Sequence, residues 1–444
     1  MPRLAMFALV SLLFMAGAVF AEQQTGKDGV YEELNLFDEA FERIRQDSVD
    51  AVADTKLIGA AVSGMLSGLD PRSSYLDEPA FKAMQTPAND NQASLGLVVT
   101  IENGQLKVIS PQDGSPAAQA GIKPGDVIFM IDKEPTFDLT LGEAEQKFRG
   151  PADSEVQLTL RRGNSGPIEV KIKRVPFKLQ TVAGRVEGGN IGYVRIAGFD
   201  GGTAASLAEV VQDLRQRTGN KLIGFVVDFR NNPGGNFDAA VATADALIDK
   251  GEIVVVKGRQ PANTKRISAT PGDVAKGLPI VALINGGTAR EAELVAGALQ
   301  DNHRAALLGT KSFGESSIES LIPLGNGGAI RLTTARFMSP NGHEIQGKGL
   351  EPDLGVTALK LAKLGRGEGR HEADLPGALK NPDQPAQTPG TPPAEAPPGA
   401  TATPAPEEAP SVATGDIGSA KDEQLTQAMD VLRGLSLTGH RASG

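Results

Sequence analysis

The sequence predicts an α/β protein built on a mostly parallel sheet, with a β-rich module inserted ahead of it and helices at the N-terminus. Three observations carry that expectation. The run Leu222-Ile-Gly-Phe-Val-Val-Asp228 is almost continuously apolar, as in a strand buried on both faces of a sheet. Strand-like and helix-like periodicities alternate from Ile191 to Gln300, which favours parallel strands joined by helical crossovers. Between 85 and 175 that pattern gives way to short alternating strands bounded by turn residues.

Each segment follows from its own pattern. Met-Pro-Arg3 precedes an apolar run from Leu4 to Phe20 with small Ala18 and Ala21 at its end. Residues 1–21 therefore read as a secretory signal cut after Ala21, with a retained membrane anchor as the alternative, and the protein as periplasmic or otherwise exported. Residues 30–84 are helical, with one stripe at Leu34, Leu36, Phe37, Phe41 and Ile44 and another at Leu57, Ile58, Ala61 and Met65. The turn Leu69-Asp-Pro-Arg-Ser-Ser-Tyr-Leu76 closes this hairpin. In the module 85–175, strands Leu95–Ile101 and Leu106–Ile109 flank an Asn103-Gly104 turn, followed by a helix at Leu141–Phe148 and a strand at Val156–Leu160. The core, 176–357, runs through strand Ile191–Ile196, helix Thr203–Arg217, strand Leu222–Asp228 and helix Asp238–Leu247. Strands Ile253–Lys257 and Ile280–Ile284 and helix Glu291–Gln300 continue the same alternation. Residues 376–418, rich in Pro, Ala and Thr, bury too little apolar surface to order themselves and read as a disordered linker. The segment 420–437 is a terminal helix with Leu425, Ala428, Met429 and Leu432 on one face, suited to packing on the protein body.

Composition removes several classes of function. The 444 residues carry a net charge of −10 and no basic stripe, so there is no electrostatic footprint for nucleic acid. Cysteine is absent, which excludes disulfides and thiol chemistry, and the 4 histidines are scattered without metal-ligand spacing. No cofactor is expected.

Three stretches bear a specific resemblance to one family. Asn285-Gly-Gly-Thr-Ala-Arg-Glu-Ala-Glu293 with Gly309-Thr-Lys-Ser-Phe-Gly-Glu-Ser-Ser-Ile-Glu319, the turn Asp228-Phe-Arg-Asn-Asn-Pro-Gly-Gly235, and Thr333 to Asp353 resemble the C-terminal processing peptidases, or tail-specific proteases. The opening helices and the turn at Asp70 resemble the same family. Ser115-Pro-Ala-Ala-Gln-Ala-Gly-Ile-Lys-Pro-Gly-Asp126 resembles a PDZ domain. The resemblance implies a crotonase-like core fold with an inserted PDZ domain, serine-peptidase chemistry, and a homo-oligomer formed through the N-terminal helices. It places an oxyanion hole at Gly234 and Gly235, where backbone N–H groups meet developing negative charge. A PDZ module binds peptides by strand addition and holds the terminal carboxylate on successive N–H groups. The carboxylate loop is then Ser94-Leu95-Gly96-Leu97. Leu97 and Phe148 line the pocket for the last side chain, unless Phe148 serves the module's core.

The chain departs from the family where the chemistry sits. The family's serine nucleophile, general-base lysine and orienting glutamine correspond here to Arg290, Glu315 and Glu319. Arginine is always protonated and has no acceptor lone pair, so it neither attacks nor takes a proton. Glu291 stands where the family has alanine and carries a carboxylate towards the oxyanion hole. Arg290 and Glu315 have the shapes for a bidentate pair, with Glu319 or Glu291 as further partners; an open, solvated cleft is the alternative. A displaced dyad of Thr288 and Lys311 requires a backbone shift. The expected function is binding of C-terminal tails of exported proteins without cleavage, with an active protease relative as a further partner. A working endopeptidase and a purely structural envelope protein are the rivals.

Overall fold

The apolar run at 222–228 becomes a central strand, Gly224–Asp228, with every residue buried. The computed structural model describes residues 31–85, 92–356 and 417–439, apart from 103, 138, 140, 164, 178 and 420. The expected signal segment and nearly all of the expected linker lie outside the described residues.

The main sheet is ordered Val182–Glu187, Ile191–Ile196, Gly224–Asp228, Ile280–Ile284, Ala305–Gly309, Leu354–Gly355. Its first pair is antiparallel and all the others are parallel. The α/β class with a mostly parallel sheet is therefore the observed one. Alternation within each strand divides the core into two. Phe225, Val227, Ala282 and Ile284 face a large cluster with the helices Thr203–Arg217, Phe237–Asp245 and Glu291–Asp301. Val226, Val281 and Leu283 face the opposite way and meet Leu425, Ala428 and Leu432 of the C-terminal helix Glu423–Gly439. Each fully buried leucine there contributes on the order of 1.5–3 kcal/mol.

One strand belongs elsewhere. The segment expected at 253–257 forms Glu252–Gly258, but it lies in a second, antiparallel sheet between Lys265–Ser268 and Ala329–Met338. A parallel neighbour needs a crossover of a dozen or more residues. Here the chain turns back through the short 3₁₀ segment Pro261–Asn263, which permits only antiparallel pairing. Ser317–Pro323 and Ser74–Leu76 flank the long strand Ala329–Met338 in the same sheet.

The inserted module has its own sheet, ordered Leu97–Glu102, Gln105–Pro111, Val127–Ile131, Glu155–Arg161, Ile168–Lys173, around its own apolar cluster. Leu97–Glu102 is an edge strand, and the helix Leu141–Phe148 packs against it. An open edge beside a helix is the geometry for strand addition. The module meets the core through Asp113, which accepts from Arg195 Nε at 2.8 Å.

Residues 31–66 form a separate unit, with a helix at 31–47 and the start of Asp54–Ser67. Leu34, Leu36, Phe37 and Ile44 of the expected stripe are exposed, as are Ile58 and Met65.

Candidate active site at the ends of the parallel strands

Two turns at adjacent strand ends build the site. The first follows Gly224–Asp228. Asp228 is fully buried and accepts from the backbone N–H and the guanidinium of Arg230, and from the Tyr193 hydroxyl at 2.9 Å. Asn232 braces the glycine pair: its Oδ1 accepts from Gly234 N–H at 2.9 Å and its Nδ2 donates to Ile196 O. Gly234 has φ +97, and any Cβ there would collide with the Glu291 carboxylate, so only glycine fits.

The second turn follows Ile280–Ile284. Thr288 Oγ1 donates to Phe229 O at 2.9 Å, and Ala289 N–H donates to Asn232 O, so the two turns are locked together. Arg290 then occupies a strained elbow, with φ +54 and ψ −122, immediately before the helix Glu291–Asp301. Such a conformation costs on the order of 1–3 kcal/mol for a residue with a side chain. The same strand-turn-helix geometry lifts a nucleophile clear of a sheet in hydrolases.

The carboxylates around Arg290 play different parts. Glu291 Oε2 accepts from Gly235 N–H at 2.9 Å, so a side-chain oxygen of this chain already occupies that amide. Burial pushes the Glu291 carboxyl above its ordinary range, while Arg290 and the Gly235 amide act in the opposite direction. Glu293 is fully buried and accepts from Ser312 Oγ at 2.5 Å, Gly314 N–H at 2.7 Å, Glu315 N–H at 2.9 Å and Arg290 N–H at 3.1 Å. It thereby joins the elbow to the loop carrying Glu315. Burial pushes its pKa up to about 8, against the pull of those hydrogen bonds.

Arg290 and Glu315 are brought together, but not as a fork on a carboxylate. Arg290 Nε lies 3.5 Å from Glu315 Oε1 and 3.8 Å from Glu291 Oε2, and its Nη2 lies 3.4 Å from Glu319 Oε2. Burial opposes the charge on Arg290, yet Glu315, Glu291 and Glu319 together raise its pKa above the ordinary arginine value. The closest cation to Glu315 is Arg72, whose Nη2 donates to Glu315 Oε2. Arg72 is held in place by Asp70, which accepts from Arg72 N–H and Ser73 N–H, both at 2.8 Å, and from Thr333 Oγ1. The Asp70-Pro-Arg-Ser73 turn was visible in the sequence; nothing local pointed its arginine at residue 315. Glu315 Oε1, Arg290 Nε and Arg72 Nε are buried without a hydrogen-bond partner, the mark of a crowded, imperfectly paired cluster.

Other candidates fall in different places. The Thr288 hydroxyl is committed to the Phe229 carbonyl, and Lys311 Nζ pairs with Glu351 at 2.9 Å, so these two do not form a dyad. In the module, Ser94 ends strand Gln92–Ser94, opposite Arg149. Leu95 and Phe148 are buried in the module's core, and Leu97, half-buried, opens the edge strand. Gly96 has φ +67 with the Ser115 side chain against its Cα, leaving no room for a Cβ. A cavity of about 350 Å³, lined by Ser94, Gln112, Phe177, Phe199, Gly234 and Gly235 among others, connects this loop with the glycine pair.

The fold and these turns are those of a serine-peptidase scaffold carrying a PDZ domain. The peptidase family S41 model matches residues 190–356, a PDZ-domain model matches 107–162, and the N-terminal domain of the activating protease CtpB matches 11–80. The carboxy-terminal-processing protease of Bartonella bacilliformis is 43% identical over 352 residues, covering 79% of this chain and 80% of that protein. The carboxy-terminal processing protease CtpA of Bacillus subtilis is 31% identical over 339 residues, covering 76% and 71% respectively. Among solved structures, the photosystem II D1 C-terminal processing protease superposes with a TM-score of 0.63 at 28% identity, covering 72% of this chain and 86% of that one. The chain belongs to the carboxy-terminal-processing proteases of peptidase family S41. No helix among the described residues is long and apolar enough to cross a membrane.

Proposed function

We propose that this family member is an exported protein that holds the C-terminal tails of other exported proteins without cutting them. The observation that carries the reading is the Glu291 carboxylate on the Gly235 amide, beside an arginine at the elbow. An oxyanion-hole amide already bonded to an internal carboxyl oxygen is not free to stabilise the negative charge of an acyl-transfer transition state. An arginine at 290 supplies no nucleophile, and loss of a nucleophile in a serine protease lowers the rate by about six orders of magnitude. The edge strand Leu97–Glu102, the loop Ser94–Leu97 and the cavity beside them favour an extended peptide as ligand. The exposed apolar residues of the N-terminal unit favour a homo-oligomer, and an active relative is the natural recipient of a tail held but not cut.

Two assays test this. Wild type is compared on tail peptides and casein with the variant Arg290→Ser/Glu315→Lys/Glu319→Gln/Glu291→Ala. The expected outcome is no cleavage by wild type; turnover comparable to active relatives sinks the reading and installs the endopeptidase. Calorimetry with free-acid and amidated tails then separates binding from a structural role. Binding should require the free carboxylate, and equal heats for both peptides would remove the tail-holding role.

A further inference from the structure

Residues 417–439 lie beyond the matched peptidase segment, which ends at 356, yet their helix is bonded to the turn that carries Gly234 and Gly235. Arg230 is the link, and it is fully buried. Its Nη1 donates to Asp422 Oδ1 at 2.8 Å and to Gln424 Oε1 at 2.9 Å, and its Nη2 donates to Asp422 Oδ2 at 2.5 Å. The same guanidinium bonds Asp228 through Nε at 3.0 Å and Nη2 at 2.5 Å. Gln424 Nε2 also donates to Val356 O, so the helix starts beside the point where the core chain leaves. On the far side of Asp228, Arg195 donates to the Asp228 carbonyl at 3.1 Å and to Asp113 of the PDZ domain. One polar chain therefore runs Asp113–Arg195–Asp228–Arg230–Asp422, from the PDZ domain through the glycine-bearing turn to the C-terminal helix.

We propose that the C-terminal helix is a tethered clamp: it docks reversibly in cis on the face of the parallel sheet formed by Val226, Val281 and Leu283, and its docking orders the turn 228–235 at the floor of the peptide cleft. The contact has the recognition logic of a helical ligand in a groove. Three apolar anchors, Leu425, Ala428 and Leu432, lie on the sheet, and the acidic N-terminus is read by one arginine. Released from the sheet, a helix of 17 residues has little stability of its own. Undocking removes three of the six hydrogen bonds that the Arg230 guanidinium makes, and an arginine left with only Asp228 leaves its buried position or drags the turn with it. Residues 357–416 connect the helix covalently to the core, so docking is intramolecular, which favours it over exchange with a second copy.

The test starts from the full folded chain with a specific protease site inserted after Gly390. After cleavage, a fluorescent synthetic peptide of residues 417–439 is added, and amide hydrogen exchange is followed at 228–235. The peptide should displace the native helix saturably, and its Asp422→Ala version should bind at least about 30-fold more weakly. Exchange at 229–235 should rise about tenfold or more when the helix is removed and fall again on adding wild-type peptide. In the uncut chain, Asp422→Ala should raise exchange at the same amides while the PDZ amides stay protected. A helix that stays bound through dilution and competition until the whole chain unfolds overturns the clamp. Unchanged exchange at the turn after release overturns the coupling. Neither readout involves cleavage or tail binding, so the outcome is independent of the function proposed above.

Discussion

Arg230 and Arg290 each follow a parallel strand, each sits among carboxylates, and the two are built in opposite ways. Arg230 is fully buried, and two aspartates from separate segments converge on its fork with bonds of 2.5–3.2 Å. Arg290 leaves 32% of its side chain exposed, stands on a backbone with φ +54 and shares three glutamates at 3.4–3.8 Å. The difference teaches that charge balance alone does not make a well-formed ion pair. Arg230 is met by partners whose backbone positions suit a planar fork. Arg290 is a long side chain on a strained elbow, and its attraction to its neighbours is mostly unshaped Coulomb energy. The carboxylates record the same contrast. Arg230 holds the Asp228 carboxyl below its ordinary range despite complete burial, whereas burial pushes Glu293 up.

The sharpest way to break this comparison is Arg230→Met. Asp228 and Asp422 would lose their shared cation, and chemical denaturation should show a loss of about 3–5 kcal/mol. A loss below about 1 kcal/mol would mean that the two arginines are energetically alike. Next comes pH. The folded Glu293 pKa of about 8 lies above its ordinary 4.5, so its protonated form favours the folded state. That contribution is complete below pH 4.5 and is lost as pH rises through 8, with a slope of at most about 1.4 kcal/mol per pH unit. Denaturation of Glu293→Gln across this window should lack the slope. Asp228 acts in the opposite sense, its stabilisation being lost as pH falls through its depressed pKa.

Smaller effects sharpen the picture inside the candidate site. Double-mutant cycles should give a coupling of about 1–2 kcal/mol for Arg72 with Glu315 and about half that for Arg290 with Glu315. The reverse order would restore Arg290 as the principal partner. Arg290→Gly should change stability by no more than about 1 kcal/mol in either direction, because relief of the positive φ offsets the lost attraction. Calorimetric unfolding reads this directly, and a loss near that of Arg230→Met would erase the distinction.

What was legible in the sequence was what local pattern encodes. The run 222–228 announced a doubly buried strand, and the spacing of Leu425, Ala428 and Leu432 marked the buried face of the last helix. The strand at 253–256 is just as apolar, and apolarity does not say which sheet a strand joins; the short return through Pro261–Asn263 decides it. Phe148 fits a pocket wall or a core equally well by sequence, and folding places it in the core. In the candidate site, the cluster of Arg290 with Glu291, Glu315 and Glu319 was readable because a family pattern put those positions together. Arg72 and Asp422 were not, since each meets its partner across roughly two hundred residues of chain, a distance no periodicity spans.

The Arg72–Glu315 contact bears on what single substitutions in this cluster would do. A lysine placed alone at 315 would face Arg72 and Arg290, three cations in one crowded pocket. A serine placed alone at 290 would leave Glu291, Glu315 and Glu319 with a single neighbouring arginine and the Gly235 amide still occupied by Glu291. Neither change alone places a serine beside a lysine, so these positions act as a group rather than one at a time.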